Sequence, residues 1–437
     1  MRARWGLLVC LGLLASCDSG SSAPTPAPPR SEVATPVAPN PGLDPEVAAE
    51  ADAKLSVEER AAALAKTFIV LDGHIDVPWR LEKSSKDGVL GEDIGAATEA
   101  GDFDLPRARA GGLDAPFMSI YVSPDFEMKG ADDVAERLIS MVEGIVSAHP
   151  EDFALAPSAQ SVRDNFAAGK VSLPMGMENG APLMGKLENV AHFHKRGIRY
   201  ITLAHSKDNH ISDSSYDKRH THKGLSKFGK SVVAEMNRVG VMVDVSHISD
   251  DAFWQVIELS EVPVIASHSS CRHFTPGFDR NMSDEMIHAL AKAGGVIQIN
   301  FGSDFLDGGV RTGRKKHDAE LKAYLKDEHL DPKSDEGKAA AGAYDVDHQS
   351  PRATVSKVAD HVMHVVELVG AEHVGLGSDF DGVGDSLPKG LRSVADYPNL
   401  FAELLRRGVS EDDLEKIASG NVLRVWSAVE AHAAAAE

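Results

Sequence analysis

An apolar run of the chain ends in Leu71-Asp72-Gly73-His74-Ile75-Asp76-Val77-Pro78, which places an imidazole and a carboxylate two residues apart. Side chains two positions apart on a β-strand project from the same face, so His74 and Asp76 can reach one metal ion together. A single His-x-Asp triplet is more often a loop pair or a buried, hydrogen-bonded histidine than a metal site. Its meaning therefore depends on whether other strands end in the same way.

Eight short runs along the chain are apolar or rich in β-branched residues, and most are followed by a helical pattern. They span residues 67–73, 115–122, 172–177, 199–204, 241–246, 263–267, 295–301 and 373–378. Helices are predicted at residues 131–148, 226–239, 250–259, 283–293 and 354–368. Strands that alternate with helices predict an α/β fold with a parallel sheet, and eight such units predict a (β/α)8 TIM barrel. A doubly wound open sheet is the competing architecture.

Polar side chains at the ends of these runs favour the barrel. Six of the eight runs lead directly into potential ligands, which are His74 and Asp76, Glu178, His205, His247, His268 and Asp379. Open sheets gather ligands at one switch point, whereas barrels gather catalytic groups from the carboxyl ends of many strands. Other histidines lie in or beside helical patterns and lack this placement, namely His149, His192, His194, His288, His361 and His364.

Composition argues against several classes of function and of metal site. The 437 residues suit one barrel with tails and insertions, and the formal net charge of -21 argues against a nucleic-acid partner. The only cysteines are Cys10, Cys17 and Cys271, so a metal site must use His, Asp and Glu. The sequence has no Gly-x-Ser-x-Gly elbow, and Cys271 shows no sign of a paired base. Serine and cysteine hydrolases are therefore disfavoured.

The N-terminal segment is predicted to be a leader. Arg2 and Arg4 precede an apolar stretch too short to span a bilayer, and small residues lead to Cys17. Residues 1–16 are predicted to be a lipoprotein signal peptide and Cys17 the lipidated residue, with a secretory signal or an uncleaved anchor as alternatives. Residues 17–44, rich in Pro, Ser and Ala, then form a tether. Export and a lipid anchor on a bacterial membrane, at its periplasmic or outer face, follow from this prediction.

Residues 45–437 are predicted to form a single domain. Residues 45–66 carry a helical pattern that is expected to pack against the barrel. A polar, charged segment at about residues 303–350 is interpreted as an insertion after the seventh strand that could cover part of the barrel mouth. Its basic run, Arg311-Thr312-Gly313-Arg314-Lys315-Lys316, is interpreted as a solvated face.

The strand-end residues form a set suited to hydrolysis with two metal ions. Such sites need imidazoles and carboxylates, one of them shared between the ions, and open positions for a bridging hydroxide that attacks the substrate. The predicted ligands are His74, Asp76, Glu178, His247 and His268, with Glu178 as the bridge. Two zinc ions are the default for nitrogen and oxygen ligands, although manganese or cobalt could substitute.

Three more side chains have predicted roles around these ligands. Asp379 is the candidate acid/base, and spacing alone does not separate it from Asp381. His205 is the candidate for stabilising an oxyanion. Arg280 is the candidate anchor for a substrate carboxylate, because the guanidinium fork binds carboxylates bidentately.

Several motifs in order along the chain resemble those of one enzyme family. They are LDGHID at 71–76, RYITLAH at 199–205, VDVSHIS at 243–249, ASHSS at 266–270, RN at 280–281 and GSDFDG at 377–382. The resemblance is to the membrane dipeptidase (renal dipeptidase) family, peptidase family M19, over about residues 68–426. It implies a TIM barrel of the metal-dependent hydrolase type that cleaves dipeptides with two zinc ions.

The resemblance also implies a division of roles. One zinc ion would be held by His74 and Asp76, the other by His247 and His268, and Glu178 would bridge them. Substrate would contact His205 and Arg280, and Asp379 rather than Asp381 would be the acid/base. A homodimer is usual in the family. Asn179-Gly180-Ala181 stands where mammalian relatives have Gly-Gly-His, so the preferred side chain is expected to differ.

Two other functions remain open from the sequence. The same barrel could hydrolyse a cyclic amide, a lactam or an acylated amino acid. A lipid-tethered binding protein could keep the barrel without catalysis, although every expected ligand and Asp379 are present.

Overall fold

Parallel strands form the centre of the protein. The structure is a computed structural model that describes residues 55–85 and 91–436. The strands are β1 (Val70–Ile75), β2 (Leu113–Tyr121), β3 (Phe153–Leu155), β4 (Val171–Leu173), β5 (Met175–Glu178), β6 (Ile198–Thr202), β7 (Met242–Asp244), β8 (Ile265–Ser269), β9 (Val296–Ile299) and β10 (Val374–Leu376). Eight of them form one sheet in the order β1-β2-β5-β6-β7-β8-β9-β10, and β3 pairs with β4 beside it. The pairings are parallel.

The large sheet returns on itself. After β10, the backbone N–H of Asp379 donates to the carbonyl of His74 at 3.0 Å, and the N–H of Asp76 donates to the carbonyl of Phe380 at 2.9 Å. These bonds join the last strand to the first, as a barrel requires and an open sheet does not. The predicted (β/α)8 barrel is confirmed. All eight predicted runs are strands, although the third is divided at Pro174 into β4 and β5.

Helices surround the barrel. They are α1 (Val57–Thr67), α2 (Val77–Ser84), α3 (Leu105–Gly111), α4 (Ala131–Ala148), α5 (Ala159–Ala167), α6 (Glu188–Lys195), α7 (Lys227–Val239), α8 (Asp250–Leu259), α9 (Asp284–Lys292), α10 (Ser303–Leu306), α11 (Gly308–Asp327), α12 (Asp335–Asp347), α13 (Val355–Val369), α14 (Tyr397–Arg406), α15 (Glu411–Glu415) and α16 (Asn421–Ala436). The five helices predicted from apolar periodicity are observed within one residue of the predicted ends. Serine caps fix several starts, since Ser226, Ser249 and Ser283 each accept a backbone N–H in the first turn.

Aromatic and aliphatic side chains fill the barrel below the strand ends. Phe117 of β2 packs between Tyr200 of β6 and Trp426 of α16, with ring centroids 5.2 Å and 5.3 Å apart. All three side chains are fully buried, and burial of each stabilises the fold by roughly 1.5–3 kcal/mol. This apolar plug leaves the carboxyl ends of the strands as the polar face of the barrel interior.

The segment after β9 contains α10, α11 and α12, and its basic run is not a uniformly solvated face. Arg314 is only 15% exposed and its Nε lies 3.2 Å from Oδ1 of Asp304. The guanidinium of Arg311 stacks on Phe278 at 3.8 Å. The interpretation of this run as solvated is therefore wrong for these two side chains, because both turn back towards the barrel.

The predictions for the signal peptide, Cys17, the tether and residues 45–54 lie outside the described residues. The described residues belong to one compact unit. Among them, no helix combines the length and the apolar character needed to cross a membrane.

Candidate metal centre and active site

Glu178 lies at the centre of the polar face, at the end of β5. Its Oε2 is 3.4 Å from Nε2 of His74, whereas its Oε1 is 3.1 Å from Nε2 of His247 and 3.5 Å from Nε2 of His268. The carboxylate is 5% exposed, so these imidazoles surround it. One oxygen therefore faces β1 and the other faces the ends of β7 and β8, as a bridging ligand would.

Two carboxylates complete the β1 side of the site. Oδ2 of Asp76 lies 3.6 Å from Nε2 of His74, and the ligand atoms of His74, Asp76 and Asp379 lie within 4.8 Å of one another. Gly382 allows this approach. A Cβ at that position would lie 2.1 Å from an oxygen of both Asp76 and Asp379, so any other residue would push these carboxylates aside.

His205 is the more open of the imidazoles around Glu178. Its Nε2 lies 3.4 Å from Oε1 of Glu178, and its side chain is 20% exposed, whereas that of His74 is fully buried. Its ring centroid lies 4.3 Å from that of His247. Because it is reachable from solvent, His205 is placed to contact a bound molecule.

Backbone strain marks the same positions. His247, Asp379 and Asp381 have φ values of 69°, 63° and 66°, which residues other than glycine rarely adopt. Such conformations cluster at functional sites because the surrounding structure must hold them in place. His247 and Asp379 each lie in the turn that follows a barrel strand, and that turn aims the side chain into the site.

The tautomer of His74 is set by Tyr200. The phenol oxygen lies 2.8 Å from Nδ1 of His74 and 3.1 Å from the carbonyl oxygen of Gly73. A hydroxyl has one proton, and only the phenol can donate to the carbonyl, so Nδ1 of His74 must donate to the phenol. In the neutral, metal-binding form of His74 the lone pair is thus left on Nε2, which faces Glu178 and Asp76.

The tautomer of His268 is set in the same way, by Ser267 and Asp244. Oγ of Ser267 lies 2.7 Å from Nδ1 of His268 and donates to Oδ2 of Asp244 at 2.7 Å. Because its proton goes to the carboxylate, the serine accepts from Nδ1 of His268, and Nε2 again carries the lone pair. Asp244 itself is fully buried and also accepts the hydroxyl of Thr202.

The two aspartates after β10 have different surroundings. Asp379 accepts Nδ2 of Asn300 at 2.7 Å, and burial, aided by the charge of Asp76, raises its pKa well above the ordinary value. Asp381 accepts the backbone N–H of Asp102 at 2.7 Å and Nη1 of Arg80 at 3.2 Å. Burial raises the pKa of Asp381 to about 7. Asp379 therefore faces the centre, whereas Asp381 mainly secures the loop at Asp102.

The electrostatics of the centre fit metal cations. Burial opposes ionisation of Glu178, but electrostatic attraction to His74 and His205 and hydrogen bonds from His247 and His268 outweigh burial and hold the pKa of Glu178 well below the ordinary value. Burial lowers the pKa of His247 and His268 well below the usual range, which favours the neutral, metal-binding form. Among the described residues, Nε2 of His74 and Oδ1 of Asp76 are buried without a hydrogen-bond partner. Ionised carboxylates and neutral imidazoles with unused lone pairs are the donors that zinc takes.

A family comparison decides what this geometry belongs to. The sequence model described as membrane dipeptidase (peptidase family M19) matches residues 58–437. The chain belongs to the membrane dipeptidase family. Members of this family are metal-dependent hydrolases, in agreement with the clustered His, Asp and Glu side chains.

Curated relatives and solved structures agree with this assignment. An uncharacterized dipeptidase of Schizosaccharomyces pombe is 30% identical over 386 residues, covering 85% of this chain and 84% of the relative. Dipeptidase aclJ of Aspergillus oryzae is 34% identical over 339 residues, covering 76% of this chain and 70% of the relative. The crystal structure of the probable dipeptidase PvdM from Pseudomonas aeruginosa superposes with a TM-score of 0.73 at 26% identity, covering 86% and 99%.

A further solved structure contains a substrate analogue. It is a metallo peptidase from Rhodobacter sphaeroides liganded with a phosphinate mimic of the dipeptide L-Ala-D-Ala. It matches with a TM-score of 0.65 and 25% identity, over 83% of this chain and 99% of that one.

In this dipeptidase-family chain the cluster of candidate metal ligands opens into a cavity of about 390 Å³. The cluster contributes Asp76, Glu178, His205, His247 and Asp379 to its wall. The remainder of the wall includes two aromatic side chains, Trp79 of α2 and Tyr121 at the end of β2. Three residues of the segment after β9 also line it, which are Asp304, Phe305 and Arg314. The expected cover over the barrel mouth is thus present.

Arg280 packs against the end of β8, is not among the side chains that line the cavity, and is 3% exposed. Its Nη1 donates to Oγ of Ser269 at 2.7 Å, and its Nη2 donates to the carbonyl of His268 at 2.8 Å. A guanidinium has five N–H groups, so three remain after these bonds. Its Nε is buried and has no hydrogen-bond partner among the described residues.

Asn179 shows what the departure from the mammalian motif does. Its Nδ2 donates to the carbonyl of Val122 at 2.8 Å, and its Oδ1 accepts Nδ2 of Asn209 at 2.9 Å. With a φ of 81°, Asn179 turns the chain at the end of β5 and ties that turn to two neighbouring loops. The amide thus supports the position of Glu178.

Sequence reasoning missed the residues that orient the ligands. Tyr200, Ser267 and Asp244 stand inside the quoted motifs, and Asn300 stands at the end of the seventh run. Their polarity inside apolar runs was the available signal, since a buried polar side chain needs a partner. The identity of each partner depends on contacts between strands far apart in the sequence.

Proposed function

We propose that this chain is a binuclear zinc dipeptidase that hydrolyses the peptide bond of dipeptides. The observation that carries the proposal is the division of Glu178 between two sets of imidazoles, with Oε2 facing His74 and Oε1 facing His247 and His268. His74 and Asp76 would hold one ion, His247 and His268 the other, and Glu178 both. When bound, the two ions would polarise the scissile carbonyl and lower the pKa of a shared water to about 7.

Asp379 would move the proton in this reaction. Its Oδ2 is held by Asn300 at 2.7 Å, which fixes the carboxyl group against the ligand cluster. In its ionised form it would take a proton from the attacking water, and its raised pKa suits it to hold that proton until it is delivered to the departing amine. The hydrogen bond from Asn300 leaves the second oxygen, on the side of Asp76, for that exchange.

His205 and Arg280 would hold the substrate. Burial lowers the pKa of His205, so its imidazole is neutral and can donate one hydrogen bond to the oxygen that becomes negative during attack. The three remaining N–H groups of Arg280 would take the free carboxylate of the dipeptide. A fixed carboxylate on one side and the metal ligands on the other would restrict the substrate to two residues.

The cavity favours a small substrate. Its volume of about 390 Å³ falls in the lower part of the ~300–1,000 Å³ range of small-molecule sites. The Rhodobacter sphaeroides structure holds a mimic of L-Ala-D-Ala. We therefore include L,D dipeptides among the substrates proposed for this chain.

The test is a panel of L,L and L,D dipeptides, cyclic dipeptides, β-lactams and acylated amino acids, offered to zinc-loaded protein. Release of amino acids from dipeptides, with Asp379→Asn nearly inactive, is the expected result. Hydrolysis of cyclic or acylated amides alone would favour the alternative amidohydrolase reaction. Dipeptide binding without turnover in the wild type would instead identify a binding protein.

We further propose that the protein is exported, lipid-anchored through Cys17, and homodimeric. The leader pattern of residues 1–16 and the position of Cys17 support the anchor. Metabolic labelling with a tritiated fatty acid should label the wild type and not Cys17→Ser. Sedimentation of the protein lacking residues 1–44 tests the dimer, and a monomer at micromolar concentration would contradict it.

A further inference from the structure

A second group of possible metal ligands lies outside the active site. His273, Asp284 and His364 each offer one ligand atom, and these three atoms lie within 4.8 Å of one another. They come from three elements, since His273 is in the short 3-10 turn Arg272–Phe274, Asp284 begins α9 and His364 lies on α13. None of the three lines the catalytic cavity.

The local geometry brings the group close to a metal-ligand arrangement. Nε2 of His364 lies 2.8 Å from Oδ1 of Asp284, and the rings of His273 and His364 stack at 4.4 Å. Ligands about 2.0–2.1 Å from a tetrahedral zinc ion lie roughly 3.4 Å apart. The Asp284–His364 pair must open slightly and His273 must approach. His273 is exposed, so a rotation of its side chain can supply the larger part of this change.

We propose that His273, Asp284 and His364 form a zinc site separate from the catalytic centre. Two imidazoles and one carboxylate are suitable donors for zinc, and water would occupy the fourth position. Binding requires neutral imidazoles, so the proton shared by His364 and Asp284 leaves to solvent as the ion enters. Divalent cations with the same preference for nitrogen, such as cobalt or nickel, would compete for the site.

The position of the site gives it a structural role. The backbone N–H of Arg272 donates to the carbonyl of Met282 at 2.7 Å, and that of Met282 donates to the carbonyl of Ser270 at 2.9 Å. These bonds close a loop that contains Arg280. His273 lies just inside one end of the loop and Asp284 just beyond the other, and both face His364 on α13. A bound ion would therefore fasten both ends of the loop to one outer helix.

Zinc stoichiometry tests the site. Full-length protein is equilibrated with micromolar free zinc, and bound zinc is counted in the wild type, His273→Gln, Asp284→Asn and His364→Gln. The matched control is His288→Gln, which removes an exposed histidine from the same helix as Asp284. We expect each of the three variants to bind one zinc ion fewer than the wild type and the control. Dipeptide hydrolysis should stay within twofold in all of them, because none of the substituted residues lines the cavity.

The count also separates this site from the catalytic one. If the catalytic centre holds one ion or none, the totals of all five proteins fall together and the difference of one ion remains. Equal zinc content in the wild type and His273→Gln would overturn the proposal, and His273 is exposed, so this variant is expected to fold. As a second measurement, zinc should slow amide hydrogen exchange in residues 272–284 of the wild type and His288→Gln. An equal slowing in His273→Gln would contradict the fastening role.

Discussion

His74 and His268 lie side by side, with ring centroids 3.8 Å apart, but they face different oxygens of Glu178 and are oriented by different chemistry. His74 donates from Nδ1 to the phenol of Tyr200, which passes its own proton to the neutral carbonyl of Gly73. His268 donates from Nδ1 to Ser267, which passes its proton to the carboxylate of Asp244. Both arrangements leave the lone pair on Nε2, but only one ends in a charge.

This difference in support predicts that the metal site at His74 and the metal site at His268 bind a cation with different affinities. Hydrogen bonds to ionised acceptors are roughly twice as strong as neutral ones, and a polarised hydroxyl makes the ligating imidazole more basic. The imidazole of His268 is therefore held more firmly, through Ser267 and Asp244, than that of His74. The site at His74 instead has Asp76 as a charged candidate ligand nearby. Four substitutions test this comparison, from the largest expected effect to the smallest.

Glu178→Gln removes the group that both sides share. An amide keeps the shape but loses the charge that faces four imidazoles, so neither ion would retain its bridging anion. We expect dipeptide hydrolysis to fall to background and zinc content to drop by at least one ion per chain, measured on dialysed protein. Ser119→Ala is the control, because Ser119 donates to Oε2 of Glu178 at 3.3 Å and its loss leaves the carboxylate charge in place. Full activity in Glu178→Gln would exclude a bridging role.

Asp379→Asn removes the proposed acid/base and leaves both sets of imidazoles intact. Positioned acids and bases contribute about 10²–10⁴-fold to a rate, and we expect kcat to fall by that factor with zinc content unchanged. Asp381→Asn is the matched control. Its amide oxygen can still accept Arg80 and the N–H of Asp102, so kcat should change by less than about tenfold. The reverse order of the two variants would assign the proton transfer to Asp381.

The confirmed barrel shows how much of the fold can be predicted from the apolar runs and the residues that follow them. Eight apolar runs, six of them followed by candidate ligands, were sufficient to predict the barrel, because the carboxyl ends of parallel strands meet at one face. Each predicted metal ligand stands at such an end, and the structure brings all of them around Glu178. The split of the third run at Pro174 was not predicted. Proline removes a backbone donor, and the two halves of that run pair with different strands.

The supports of the ligands could not be predicted in the same way. Tyr200 and His74 are 126 positions apart in the sequence, and Ser267 and Asp244 are 23 positions apart. Their contacts depend on the register between strands and on side-chain rotamers, which a single sequence does not encode as a local pattern. Arg314 was misread for a related reason, since a basic run on a helix does not reveal that Asp304 lies beside it.

Ser267→Ala tests the side of His268. The alanine leaves Nδ1 of His268 without an acceptor and removes the connection to Asp244. Loss of such a support lowers metal affinity by about 10–100-fold, and we expect the upper end of that range because the lost chain ends in a buried carboxylate. Competition with a chromophoric chelator measures each zinc affinity. Ser172→Ala is the control, since it also removes a buried hydroxyl, one bonded to Asn165 far from the centre.

Tyr200→Phe tests the side of His74 and should have the smallest effect. The ring remains, so its packing on Phe117 survives, and only the link from His74 to the carbonyl of Gly73 is lost. With a neutral acceptor at its end and Asp76 still present as a charged ligand, this support should change zinc affinity by about tenfold. Only one of the two binding steps should weaken, and it should differ from the step weakened in Ser267→Ala. If both variants weaken the same step, His74 and His268 share one ion and the division of Glu178 between two ions is wrong.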